Sequence, residues 1–158
     1  MSEVLHLFQC LAHGEPMQEF EEVLAVENKG FRECIHGRSG SSRQVLLMDL
    51  ETLEEFGIPE GRARENITTR GIKLDGLPLG QMLRVGGALL EVTKPCTPCH
   101  QMDEIRPGLK KELRGRRGLL CRVVEGGAIR RGDRIDPEAA DRVHRQTRDD
   151  SGAGVSGD

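Results

Sequence analysis

Apolar and polar residues alternate along most of this chain in short runs, broken by Gly, Pro, Asn and Asp. A two-residue period sends alternate side chains to opposite faces of a strand. It predicts strands over residues 4–10, 20–26, 44–48, 65–69, 81–85, 88–92 and 119–125, and a short one over 128–130. Gly86-Gly87 reads as a two-residue hairpin turn, because glycine tolerates the positive φ such a turn needs. Gly126-Gly127 reads as another turn. Two segments carry helical spacing instead. Residues 49–56 have Asp49 as a cap, an apolar face of Leu53 and Phe56, and Gly57 and Pro59 as a stop. Residues 108–113 form the second helix and end at Gly115. The pattern therefore predicts a mainly β domain with two or three short helices.

From Asp136 onward the alternation fails. Residues 137–143 allow a frayed helical turn or two, and the Gly/Ser/Asp-rich stretch 149–158 has almost nothing to bury. A domain over 1–135 and a polar, largely disordered tail over 136–158 are expected. The 158 residues suit one domain with a real core. A net charge of −3, no Trp, no Tyr and only four Phe argue against a nucleic-acid surface. No apolar run approaches the ~20 residues that span a bilayer, and the N-terminus has no leader pattern. Five cysteines, an odd and sparse set, argue against a disulfide framework and for a reducing, cytoplasmic setting.

The densest chemistry lies in Thr93-Lys94-Pro95-Cys96-Thr97-Pro98-Cys99-His100, just past a strand end. Two prolines restrict the backbone, so both thiols sit on a stiff, non-helical turn. Four readings compete. In the first the cysteines simply fill space, as free Cys often does. A dithiol-exchange motif wants a helix directly after its first Cys, and no such apolar helix is expected here. A zinc site could draw on Cys34, His36, Cys96 and Cys99, although that spacing is not a standard one. A soft metal or persulfide site would use one thiolate. Spacing alone does not separate the last two.

Other polar knots stand nearby in sequence. Around Cys34-Ile35-His36, glycines, serines, Arg38 and Arg43 suit an anion, or an ordinary solvated loop. Asn66, Thr68 and Arg70 share one face of a strand, which suits a phosphate or polar heterocycle, or water. Arg114-Gly115-Arg116-Arg117-Gly118 reads as a basic, flexible, solvated turn.

Taken in order, several motifs resemble the MOSC domain family, named for the C-terminal domain of molybdenum cofactor sulfurase. They are Glu65-Asn66-Ile67-Thr68-Thr69-Arg70-Gly71, Leu83-Arg84-Val85-Gly86 with Leu89-Leu90-Glu91-Val92, Pro95-Cys96-Thr97-Pro98-Cys99, Gly115-Arg116-Arg117-Gly118-Leu119, Val124-Glu125-Gly126-Gly127 and Arg131-Gly132-Asp133. The resemblance spans about residues 4–135. It implies a β-barrel-like fold and a molybdenum cofactor (molybdopterin) bound through a cysteine. Matching the turn residue by residue puts the catalytic, metal-ligating role on Cys99. Cys96, Asn66, Thr68, Arg70, His36 and Arg43 become cofactor-binding candidates. The implied activity is reduction of N-hydroxylated compounds, or carriage of sulfur or cofactor. Its partners would be an electron-donor protein or a molybdoenzyme. In many stand-alone members a carboxylate stands where this chain has Cys34. The Cys34 loop is expected near the Cys96–Cys99 turn. The alternative reading is a non-catalytic binding module with zinc at Cys34, His36, Cys96 and Cys99.

Overall fold

The alternation resolves into eleven strands and three short helices in a computed structural model that describes residues 1–138. In chain order these are β1 (Glu3–Gln9), β2 (Gln18–Phe20), β3 (Glu22–Val26), β4 (Gly30–Phe31), β5 (Val45–Asp49), α1 (Leu50–Phe56) and β6 (Ile67–Arg70). A 3-10 turn (Leu74–Gly76) follows, then β7 (Met82–Val85), β8 (Ala88–Pro95), α2 (His100–Ile105), α3 (Leu109–Glu112), β9 (Leu119–Glu125), β10 (Gly127–Arg130) and β11 (Ile135–Glu138). Eight strands form one mixed sheet in the order β11-β7-β8-β9-β5-β6-β1-β2; β10, β3 and β4 form a second.

The barrel expectation needs correction, because the large sheet is not closed. Its edges are β11 and β2. The chain near β11 meets β1 through one isolated bridge, Glu3 with Arg134, and hydrogen bonds such as Ile135 N–H to Ser2 O (3.0 Å). Residues 131–134 turn, with Gly132 at φ 89, so no ladder extends from that corner.

The two sheets enclose the main core, with Val4, Leu7, Leu47, Ile67, Leu90 and Val123 facing Val23, Phe31 and Ile129. A second core, Met48, Leu53, Ile58, Met102, Leu109 and Leu113, lies where the helices cover the other face. Strand β5 is thus covered on both sides, which is why Val45-Leu46-Leu47-Met48 reads as a continuous apolar run. It pairs in parallel with β6, and α1 makes the crossover. Asp49 caps α1 as expected, accepting from Thr52 N–H at 3.1 Å, and Gly57 ends it at φ 68.

Several expectations change. The single strand over 20–26 is two, β2 and β3, shared between the sheets. Gly126-Gly127 is not a hairpin: the chain crosses there from β9 to the other sheet, and Gly127 pairs with Ala25. The Arg-rich turn is not solvated throughout. Arg117 is buried and donates to Ala63 O (2.6 Å), while Arg116 pairs with Glu55 (2.8 Å) and stacks over Phe56. The last strand runs to Glu138, past the expected boundary at 135. Pro137 is tolerated because β11 is an edge strand, where the absent N–H is not missed. The helical turn and the disordered stretch expected further on lie outside the described residues.

Asn66 ties three strands together just ahead of β6. Its backbone pairs with Phe8 N–H and with Leu46 O, both at 2.8 Å. Its side chain accepts from Leu46 N–H (2.9 Å) and donates to Phe8 O (3.2 Å) and Cys34 Sγ (3.5 Å). Each orphaned buried polar group costs about 1–3 kcal/mol. Asn66→Ala is therefore expected to lower the unfolding free energy by about 2–4 kcal/mol, measured by urea denaturation. A loss below about 1 kcal/mol would show that the strands hold register without it.

Candidate functional site

The Cys turn begins where β8 ends. Cys96 N–H donates to Gly118 O at 2.9 Å, tying the turn to the start of β9. Gly118 has φ 106, and a Cβ there would run into the Leu47 carbonyl, so only glycine fits. Cys96 is buried against Leu46 and Leu120 and acts as a packing residue. Cys99 is half-buried, and among the described residues its Sγ has one hydrogen-bond partner, the Gln101 side chain at 3.7 Å. Contrary to expectation, a helix follows at once. Cys99 is the N-cap of α2, in extended conformation (φ −124, ψ 176). Pro98 lies outside the helix, so its missing N–H breaks no helical bond, and buried Met102 supplies the apolar anchor.

The loop with Arg38 and Arg43 touches the same sheet end. Thr93, three residues before Cys96, donates its hydroxyl to Ser42 O (2.5 Å) and Leu120 O (2.9 Å). Both arginines are exposed, and neither pairs with a carboxylate among the described residues. A cleft of about 160 Å³ opens beside Pro95, with Leu77, Leu79 and Leu119 as apolar walls and Asp75 and Arg116 as polar ones.

Cys34 is elsewhere engaged. It is buried, and its sulfur receives Cys10 N–H (3.4 Å), Asn66 Nδ2 (3.5 Å) and the His36 ring. Burial pushes the thiol up, but these donors together with the His36 backbone N–H outweigh it. They bring the pKa from 9.0 down to about 7. Arg64, at φ 62, reaches both Cys10 Sγ (3.5 Å) and His36 Nε2 (3.4 Å). Sequence reasoning missed Cys10 and Arg64; Arg64 stands directly before the Glu65-Asn66 motif, the one signal available.

The other candidates separate. Asn66 is committed to strand backbone and Cys34. Thr68 donates to Glu65 Oε2 (2.8 Å) in the buried interior, where burial raises the Glu65 pKa against the Gly61 and Thr68 hydrogen bonds. Arg70 pairs with Glu3 at the surface. No contact brings these three to Cys99. The zinc set is corrected outright. Cys34 and His36 belong to one cluster, Cys96 to an apolar one, and Cys99 stands apart. Among the described residues no three His, Cys, Asp or Glu side chains are disposed to hold a metal.

The Cys34 environment sets a pH window. Its folded pKa lies below the unfolded value of 9.0, so the unfolded chain holds more protons between the two values. Stability from this group is therefore lost as pH falls through about 7 and fully present above about 9. Cys121 acts oppositely: burial pushes its thiol up to about 12, so it costs stability above pH 9. Wild type minus Cys34→Ala is expected to gain about 2 kcal/mol from pH 7 to 9, read from denaturation midpoints. A flat difference would mean that the donors do not hold a thiolate.

No curated protein matches the sequence. Among solved structures the fold resembles the YuaD protein from Bacillus subtilis, with TM-score 0.75 and 19% identity over 87% of this chain and 96% of that one. It also resembles YiiM from Geobacillus stearothermophilus, with TM-score 0.68 and 20% identity over 97% of this chain and 87% of that one. YiiM from Escherichia coli matches with TM-score 0.65 and 18% identity over 88% of this chain and 70% of that one. The family model of the MOSC domain matches residues 35–136, which run from the Cys34 knot through the Cys turn into β11. This chain belongs to the MOSC domain family.

Proposed function

We propose that this protein binds molybdenum cofactor through Cys99 and reduces N-hydroxylated small molecules. The observation that carries the reading is the contrast within the turn. Cys96 is packed among apolar side chains, whereas Cys99 presents a half-exposed sulfur without a strong competing partner. The family is associated with molybdenum cofactor sulfurases, and a thiolate is a fitting soft donor for molybdenum. The donor set and its surroundings fit the group. Arg38 and Arg43, without a carboxylate partner among the described residues, offer charge for its phosphate from the loop that Thr93 holds against β8.

Bound there, the cofactor would supply oxygen-atom transfer between two oxidation states of its metal. The chain's own residues do the rest. Pro98 and the start of α2 fix the direction of Cys99. The walls formed by Leu77, Leu79, Pro95 and Leu119 would take the apolar body of a substrate and exclude water. Arg116 and Asp75 at that cleft would orient its polar end. Conversion of R–NHOH to R–NH2 and water takes two electrons and two protons, so an electron-donor protein must dock nearby. A cytoplasmic setting suits the five free thiols. No helix among the described residues is long and apolar enough to cross a membrane. The carrier reading, in which Cys99 passes sulfur or the cofactor to a molybdoenzyme, uses the same residues and lacks only turnover.

Cofactor retention, measured as molybdenum per chain after gel filtration, is expected to vanish in Cys99→Ser and persist in Cys96→Ser. Arg43→Ala is expected to weaken retention about tenfold, the effect of one charge-assisted hydrogen bond. Retention without N-hydroxy reduction by wild type would favour the carrier. Equal loss in both cysteine variants would overturn the single-ligand reading.

A further inference from the structure

Cys34 and Cys10 stand in an arrangement that the cofactor reading does not use. Cys10 N–H points at Cys34 Sγ (3.4 Å), and Ile35 N–H donates to Cys10 O (2.9 Å), so the two residues lie side by side. The Cys10 S–H donates to Ala12 O at 3.1 Å. Arg64 then orders the group. A guanidinium only donates, so His36 Nε2 must accept from it (3.4 Å). That leaves Nδ1 as the ring nitrogen with which the imidazole can donate to the Cys34 sulfur. Nucleophile, imidazole and an orienting third group recur wherever a thiol is activated for attack. The same Arg64 nitrogen touches Cys10 Sγ (3.5 Å), so one cation contacts the Cys10 sulfur directly and the Cys34 side through the His36 ring. Several donors on one buried sulfur and a cation on the neighbouring thiol have no packing purpose, since an apolar side chain would fill that space without them.

We propose that Cys34 and Cys10 form a peroxide-reactive dithiol, separate from Cys99, in which Cys34 attacks and Cys10 resolves. The Cys34 thiolate attacks the terminal oxygen of a hydroperoxide. An S–O bond forms, the O–O bond breaks, and the leaving alkoxide or hydroxide takes a proton from water. Cys34 is now a sulfenic acid. Cys10 gives up its proton, and its sulfur attacks Cys34. An S–S bond forms, the S–O bond breaks, and hydroxide leaves with that proton as water. The net change is two thiols and ROOH to a disulfide, ROH and water. Arg64, against Cys10 Sγ, favours the anionic form of the resolving thiol, and it holds the His36 ring that serves Cys34. The geometry also selects the oxidant. Cys34 is 3% exposed and Cys10 fully buried, while His36 and Arg64 are only half-buried. A sulfur screened this closely suits a small oxidant such as hydrogen peroxide and not a bulky disulfide.

Wild-type protein carries the decisive measurement. After treatment with hydrogen peroxide and alkylation, peptide mass spectrometry should find a Cys10–Cys34 cross-link as the first product, reversed by dithiothreitol. Oxidation confined to Cys99, with Cys34 still free, would overturn the proposal. So would Cys34 oxidised without joining Cys10. Cys10→Ser should leave a Cys34 sulfenic acid that dimedone captures. Arg64→Gly suits the positive φ at that position, so its fold is expected to survive. It should slow cross-linking by roughly tenfold or more, and His36→Gln should do the same. An unchanged rate in both would show that they do not position the thiolate.

Discussion

The carboxamide of Asn66 is the constraint on which much else rests. It sits where β6 begins, between β1 and β5, and its oxygen and nitrogen match the backbone of both neighbours. An antiparallel neighbour on one side and a parallel one on the other leave the ladder irregular at that point. A planar group with one acceptor and two donors fills the gap with full satisfaction, as a buried polar group requires. The same nitrogen reaches Cys34, so sheet register and thiol environment share one side chain. Leu46, whose N–H Asn66 receives, packs on Cys96 at the far end of its side chain. The two cysteine regions are thus coupled through a single residue of β5.

The thiols show how one functional group takes different characters from its surroundings. Cys121 faces the main core and is inert, its thiolate disfavoured by burial. Cys96 packs like an aliphatic residue. Cys99 stands half-exposed at a helix start, four residues past Pro95, which lines a cleft. Cys34 is as buried as Cys96, yet donors on its sulfur reverse the effect of burial on its ionisation. Where a thiol is a candidate for chemistry, the number of N–H groups aimed at it matters more than its exposure.

Glycine enters the site as a geometric necessity. Gly118 lets the Cys turn close against β5, and Gly127 passes so near the Gly87 carbonyl that no side chain fits. These positions read in the sequence as turns. Their real role is close approach of one backbone to another, a distinction that only packing reveals.

Strand alternation, the Asp49 cap, the Gly57 stop and the Gly86-Gly87 hairpin were legible from the chain alone, because each rests on contacts between near neighbours. The family was legible for a related reason: its motifs are local backbone requirements kept in order. Other features depended on residues far apart in sequence. Whether the sheet closed turned on a corner between residues 2–4 and 132–135. Asn66 read as a ligand-facing residue, because a polar side chain on a strand looks the same whether it faces water or bridges two buried backbones. Arg117 read as solvated for want of any sign that Ala63 O and Met48 would cover it. Cys10 carried no signal and Arg64 only its place before Glu65-Asn66, since their chemistry arises from partners dozens of residues away. The sequence by itself determined the strands, caps and turns, which local sterics and hydrogen bonding decide. Only the tertiary structure decided which polar groups are buried and which thiol is surrounded by donors, because desolvation and long-range hydrogen bonds exist only after the sheets have packed.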